Sequence, residues 1–104
     1  LECVLPFRDE LVGNARLPAI HGGAVGALLE LTALLQLIAD NEGTRIPKPI
    51  NFGIDYLRSA GAHDLHARAE VVKLGRRIAN VHVRAWQRNA AKPVAAGNGK
   101  FLLT

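Results

Sequence analysis

The chain has 104 residues, with 13 Lys and Arg against 9 Asp and Glu, a net charge of +4 and 49% hydrophobic content. That balance describes a soluble globular chain, a single domain over residues 1–104, and excludes disordered and fibrous classes. One Cys and four scattered His offer neither an internal disulfide nor a metal-ligand cluster, so a reducing cytosol is the expected compartment.

The pattern predicts a short strand over residues 2–8 (ECVLPFR), then an irregular connection broken by Gly13 and Pro18. A helix is predicted from His21-Gly22-Gly23 to about Asp40, with Gly43 as its stop. From Ala24 to Ala39 its only polar side chains are Glu30, Thr32 and Gln36. A helix apolar nearly all round is central, so two or more layers are expected to wrap it. The run 24–39 is too short and too interrupted for a membrane span of about 20 residues, and no secretory leader is legible.

Four strands are predicted next, at 50–58, 64–73, 77–87 and 94–103. In the second of them His66, Arg68 and Glu70 alternate with Leu65, Ala67, Ala69 and Val71. In the third, Asn80, His82 and Arg84 alternate with Ala79, Val81, Val83 and Ala85. The breaks "SAGAH", "LGR" and "NAAKP" are short, so neighbouring strands are expected to pair antiparallel. Small residues at Gly53, Ala67, Ala79, Gly97 and Gly99 would let the sheet curl around the helix. The expected class is α+β: a long central helix wrapped by a curved antiparallel sheet.

Charge is unevenly spread. Residues 1–63 hold five Lys/Arg and seven Asp/Glu, whereas residues 64–104 hold eight and two. The basic second half points to an anionic partner. Aromatics are too few to interleave with these cations as a nucleic-acid surface would require, so phosphate on a small molecule is the more economical partner.

Glu30 is the anomaly. One helical turn away stand Gly26, Ala27, Ala33 and Leu34, none of which can pair with a carboxylate. Burial there would raise its pKa and poise it to activate water or to attack an electrophilic carbon. Gly22 and Gly23 open the helix, where backbone N–H groups lack partners and no side chain blocks them. An oxygen gaining negative charge would be stabilised there. The plainer reading of the two glycines is a tight turn into a crowded helix.

Three stretches, "HGGAVGALLE", "IDYLRSA" and "VVKLGRRIANVHVRA", resemble the hotdog-fold acyl-CoA thioesterases related to phenylacetate degradation. The resemblance runs from Asn14 to Thr104. It implies hydrolysis of the thioester between an acyl group and CoA or a carrier-protein thiol, with CoA as part of the substrate and no separate cofactor. It assigns Glu30 as the catalytic acid, Gly22 and Gly23 as the oxyanion hole, and Asn14 and His21 as supporting groups. The Ser or Thr common in the family at the second strand is absent from "KPIN", leaving that role vacant or given to Asn51. Arg58, Lys73, Arg76 and Arg77 form the cationic set for the CoA phosphates, which guanidinium groups suit. His63, His66 and His82 are given no role.

Two other functions compete with this one. A hotdog hydratase or dehydratase needs an Asp or a His where Arg16 stands. A non-catalytic acyl-CoA-binding domain would not need both the glycine pair and Glu30. Gly22 and Glu30 lie eight residues apart on one helix, roughly 12 Å along the axis and about 80° around it. One thioester cannot reach both, so the expectation is a homodimer with shared sites, extending to a dimer of dimers.

Overall fold

The computed structural model describes residues 1–12, 20, 22–40 and 46–103. Asn14, His21 and the helix stop at Gly43 lie outside the described residues. The strands are β1 (Glu2–Leu5), β2 (Lys48–Tyr56), β3 (Leu65–Leu74), β4 (Ile78–Trp86) and β5 (Ala95–Leu102). A short 3₁₀ turn covers Asp9–Leu11, and the helix α1 covers Gly22–Asp40. All five strands form one antiparallel sheet in the order β1-β3-β4-β5-β2.

Alternation sets the two faces of this sheet. Leu65, Ala67 and Ala69 of β3 and Ala79, Val81, Val83 and Ala85 of β4 are buried beneath the helix, as their period-2 pattern predicts. His82 and Arg84 face outward with Arg68 and Glu70. The helix adds Val25, Leu28, Leu29, Thr32, Ala33 and Leu37, one stripe at helical spacing laid mainly over β3 and β4. Thr32 has no exposed surface, and its hydroxyl donates to the Leu28 carbonyl at 2.7 Å. Phe101 is fully buried, and Phe52 from β2 meets it edge-on at a centroid distance of 6.2 Å.

Glycine makes that aromatic contact possible. A Cβ at Gly99 would sit 2.5 Å from the Asn51 carbonyl oxygen and 2.6 Å from the Phe52 ring. Gly97 likewise leaves room for the Phe52 ring tip, 2.9 Å from where a Cβ would stand. Gly53 differs from expectation: it is exposed, outside the curl.

Two further expectations are corrected. First, β2 and β3 do not pair; β2 pairs only with β5 and forms a sheet edge. The segment "SAGAH" is no hairpin turn because residues 57–64 run across the end of the sheet. Backbone N–H groups of Leu57 and Arg58 donate to the Val94 carbonyl, at 2.8 and 3.1 Å. Farther along, the Gln87 side chain accepts from Gly61 N at 2.9 Å and donates to the Gly61 carbonyl at 2.8 Å. These bonds satisfy the crossing backbone and carry the chain past β5 and β4 to β3.

Second, the helix is wrapped on one side only. Within the single chain, Gly22, Gly23, Ala27, Glu30, Leu31 and Leu35 form an exposed stripe. Its apolarity is also greater than the sequence reading allowed: 19 residues at a mean hydropathy of 1.7 would cross a membrane by length and composition. A buried stripe against a sheet is the mark of a core helix, and that is how this one packs.

Candidate active site

Gly22 is the first residue of α1, so the N–H groups of Gly22 and Gly23 precede the first intrahelical hydrogen bonds. The Tyr56 hydroxyl, at the end of β2, donates to the Gly22 carbonyl at 2.9 Å and pins the helix start to the sheet edge. Gly22 is exposed, and a Cβ there would stand 3.5 Å from the Tyr56 ring, an ordinary contact. Crowding within the chain is therefore not why position 22 is glycine. Gly26, one turn on, is the crowded position, where a Cβ would come within 2.9 Å of Ile54 Cδ1.

Beside Gly22 opens a cleft of about 430 Å³ lined by Ile20, Val25, Tyr56, Arg58, Ser59 and Ala60, among others. Arg58 belongs here. Its guanidinium donates to the Pro93 carbonyl at 2.7 Å, tying the end of β2 to the loop before β5. Tyr56 is the group that sequence reasoning passed over, although it sits inside the quoted "IDYLRSA".

Glu30 lies on the exposed side of the helix, contrary to the burial expected from its neighbours. A shallow cleft of about 260 Å³ surrounds it, lined by Ala27, Leu31, Leu34, Pro49 and Phe101. Among the described residues, no cationic or hydrogen-bond-donating side chain lines that cleft. Pro49 and Phe101 face each other across β2 and β5, whereas Tyr56 pairs with Ala95 at the other end of the same strands. Glu30 and Gly22 thus serve opposite ends of one chain.

The cationic set divides as well. Lys73, Arg76 and Arg77 line a third cleft, of about 560 Å³, at the β3–β4 hairpin, where the Gly75 N–H closes the turn onto the Ile78 carbonyl at 2.9 Å. Asn80 and Lys100 line it too, and Lys100 had no place in the sequence reading. Arg58 stands at the far end of the sheet from these groups. Asn51 lies away from the helix start, its side-chain oxygen accepting from Lys100 N at 3.3 Å. Among the described residues no cluster of three or more His, Cys, Asp or Glu could hold a metal ion.

Residues 13–102 match the family described as acyl-CoA thioesterase N-terminal domain. Among solved structures the chain is similar to a Chromobacterium violaceum protein, at 38% identity and a TM-score of 0.81, covering 100% of this chain and 71% of that one. A phenylacetic acid degradation-related protein of Ralstonia eutropha is 26% identical, with a TM-score of 0.87 over 98% of this chain and 74% of its own. A Bacillus halodurans protein solved with CoA shares the fold at 20% identity and a TM-score of 0.88, over 99% of this chain and 66% of its own. No curated protein matches the chain.

Proposed function

The chain belongs to the acyl-CoA thioesterase family, and from that premise we propose that it hydrolyses acyl-CoA thioesters as a homodimer whose sites are shared between subunits. One observation carries this reading. Glu30 stands exposed, with no ion-pair partner among the described residues, on an apolar helix stripe beside the sheet-edge strand β2. Leu31 and Leu35 are 49% and 37% exposed on that stripe, and Ile50 and Leu57 are each 51% exposed at or beside β2. A two-fold partner with antiparallel β2 edges would cover all of these and bury Glu30 near the helix start of the other chain.

In that arrangement the thioester carbonyl oxygen accepts from the N–H groups of Gly22 and Gly23 of one subunit. Those donors act most strongly when the carbonyl carbon is attacked and the oxygen becomes anionic. Glu30 of the other subunit drives the attack in one of two ways. As general base it takes a proton from the water that adds to the carbonyl carbon and returns it to the thiolate as the C–S bond breaks, leaving the carboxylic acid. As nucleophile it displaces the thiolate to form a mixed anhydride, which water then cleaves to the carboxylic acid, with one proton of that water passing to the thiolate and Glu30 regenerated. CoA in the Bacillus halodurans neighbour supports a CoA ester as the ligand of this fold.

The test is thiol release from a panel of benzoyl-, phenylacetyl-, hexanoyl- and palmitoyl-CoA. Wild type is expected to release CoA from at least one ester, and Glu30→Gln to lose at least a hundredfold in kcat. Binding of CoA esters without thiol release would instead make the chain a non-catalytic binding domain.

A further inference from the structure

The β3–β4 hairpin runs on past the core. Val71 still packs against the buried cluster and Ala79 is fully buried, but every residue from Val72 to Ile78 is exposed. The Gly75 N–H closes the turn onto the Ile78 carbonyl. Part of this tip is apolar: Val72, Leu74 and Ile78 are 54%, 64% and 42% exposed. The rest is cationic, for Lys73, Arg76 and Arg77 line the cleft at the turn with Lys100 of β5, and no acid lines it. None of these four cations has an ion-pair partner among the described residues. Apolar side chains left in water beside unneutralised cations mark a surface whose partner is itself both apolar and anionic.

Strand register indicates the shape of that partner. Leu74 pairs with Ala79, which is buried beneath the helix, so Leu74 lies on the helix side of the sheet. Ile78 precedes Ala79 and pairs with Leu102, so it lies on the outer side, with Asn80 and Lys100. Apolar side chains therefore leave the tip on both faces of a two-stranded ribbon. A folded protein with one rigid binding face would cover one side of such a tip. A bilayer surface closes around it, taking apolar side chains below the headgroups while cations reach up to the phosphates. The phosphates of a nucleotide would engage the cations alone and leave Val72, Leu74 and Ile78 in water.

We infer that the β3–β4 hairpin docks the protein on an anionic lipid surface. Leu74 and Ile78 enter the boundary between headgroups and acyl chains, and Lys73, Arg76, Arg77 and Lys100 hold the headgroup phosphates. This is attachment at the surface rather than a span, reversible and weakened by salt. It does not depend on the thioesterase chemistry, because the cleft at the tip shares no lining residue with the Gly22 and Glu30 clefts.

Partition of the full chain into sedimented vesicles tests the docking. Vesicles of phosphatidylcholine with about 30% phosphatidylglycerol are compared with phosphatidylcholine alone, at about 0.1 M salt. Wild type should bind the anionic vesicles at least about tenfold more strongly. Arg76→Ala with Arg77→Ala should lower that binding about thirtyfold. Leu74→Ser, which keeps every charge, should lower it about tenfold. Arg84→Ala with Arg88→Ala removes the same charge toward the other end of β4 and should cost no more than about threefold. All five side chains are exposed, and unchanged thermal midpoints establish that each variant is folded. Ile78→Ser repeats the apolar test should Leu74→Ser fold poorly. Equal losses from the two arginine pairs would make the binding a matter of net charge. Unchanged binding by the folded serine variant would leave phosphate alone as the ligand. Either result, or no binding to anionic vesicles, overturns the docking.

Discussion

Glu30 and Gly22 show how far single residues can be read. The sequence marks Glu30 as out of place, because nothing within a helical turn can pair with it. What the sequence withholds is which side of the helix the sheet covers. One-sided packing puts Glu30 on an exposed stripe, which the proposed partner subunit would bury. For Gly22 the structure adds a steric test. A Cβ would stand 3.5 Å from the Tyr56 ring, so Gly22→Ala should leave the thermal midpoint unchanged or slightly raised while thiol release falls about tenfold or more. Equal activity in the folded variant would make the glycine a matter of packing alone. Tyr56→Phe removes the hydroxyl that holds the Gly22 carbonyl. A loss of about 1 kcal/mol by urea titration is expected, with kcat reduced more than KM is raised, because the helix start is no longer fixed.

At the scale of elements, alternation in β3 and β4 was fully legible: both buried faces agree with the period-2 pattern. Each predicted strand of the second half lies within two residues of its observed bounds. The pairing of β2 was not legible, because a local turn signal cannot reveal side-chain bonds made by Gln87 to residues 61 and 63 from another strand's end. Nor could the two bulges be read, at Ile50 in β2 and Val72 in β3, each of which shifts the register by one residue. The glycines of β5 carry a prediction of their own. At Gly99 an added methyl meets a backbone oxygen at 2.5 Å, whereas at Gly97 it meets the tip of the Phe52 ring at 2.9 Å and the nearest backbone oxygen only at 3.3 Å. Gly99→Ala should therefore destabilise the fold by about 3 kcal/mol and Gly97→Ala by about 1, measured by denaturant unfolding. The reverse order would mean that the Asn51 carbonyl is not what limits position 99.

At the scale of the whole molecule, Gly22 and Glu30 border separate clefts toward opposite ends of the sheet. Their separation was legible in the sequence, since eight helical residues span roughly 12 Å. The sequence could not foretell the fate of the cations, because residues 58 and 76 are near neighbours only in a list of charges. Strand order separates them, placing Arg58 beside the helix start and Arg76 at the β3–β4 hairpin toward the other end of the sheet. Leu31 and Leu35 are exposed and β2 is a sheet edge, and the proposed dimer would cover both. Leu31→Arg or Leu35→Arg should leave the chain folded, since neither side chain enters the core. Each should shift sedimentation towards the monomer and abolish thiol release in the same proportion.

The shared site is the centre of the account, and complementation between two dead subunits tests it most directly. Glu30→Gln and Gly22→Val homodimers should each be inactive. Mixed in equal amounts and allowed to exchange, they form heterodimers as half of the dimers, each with one intact site. The mixture should regain about a quarter of wild-type thiol release per chain. A mixture that stays inactive although exchange is demonstrated, or a fully active monomer by sedimentation, would contradict the shared site.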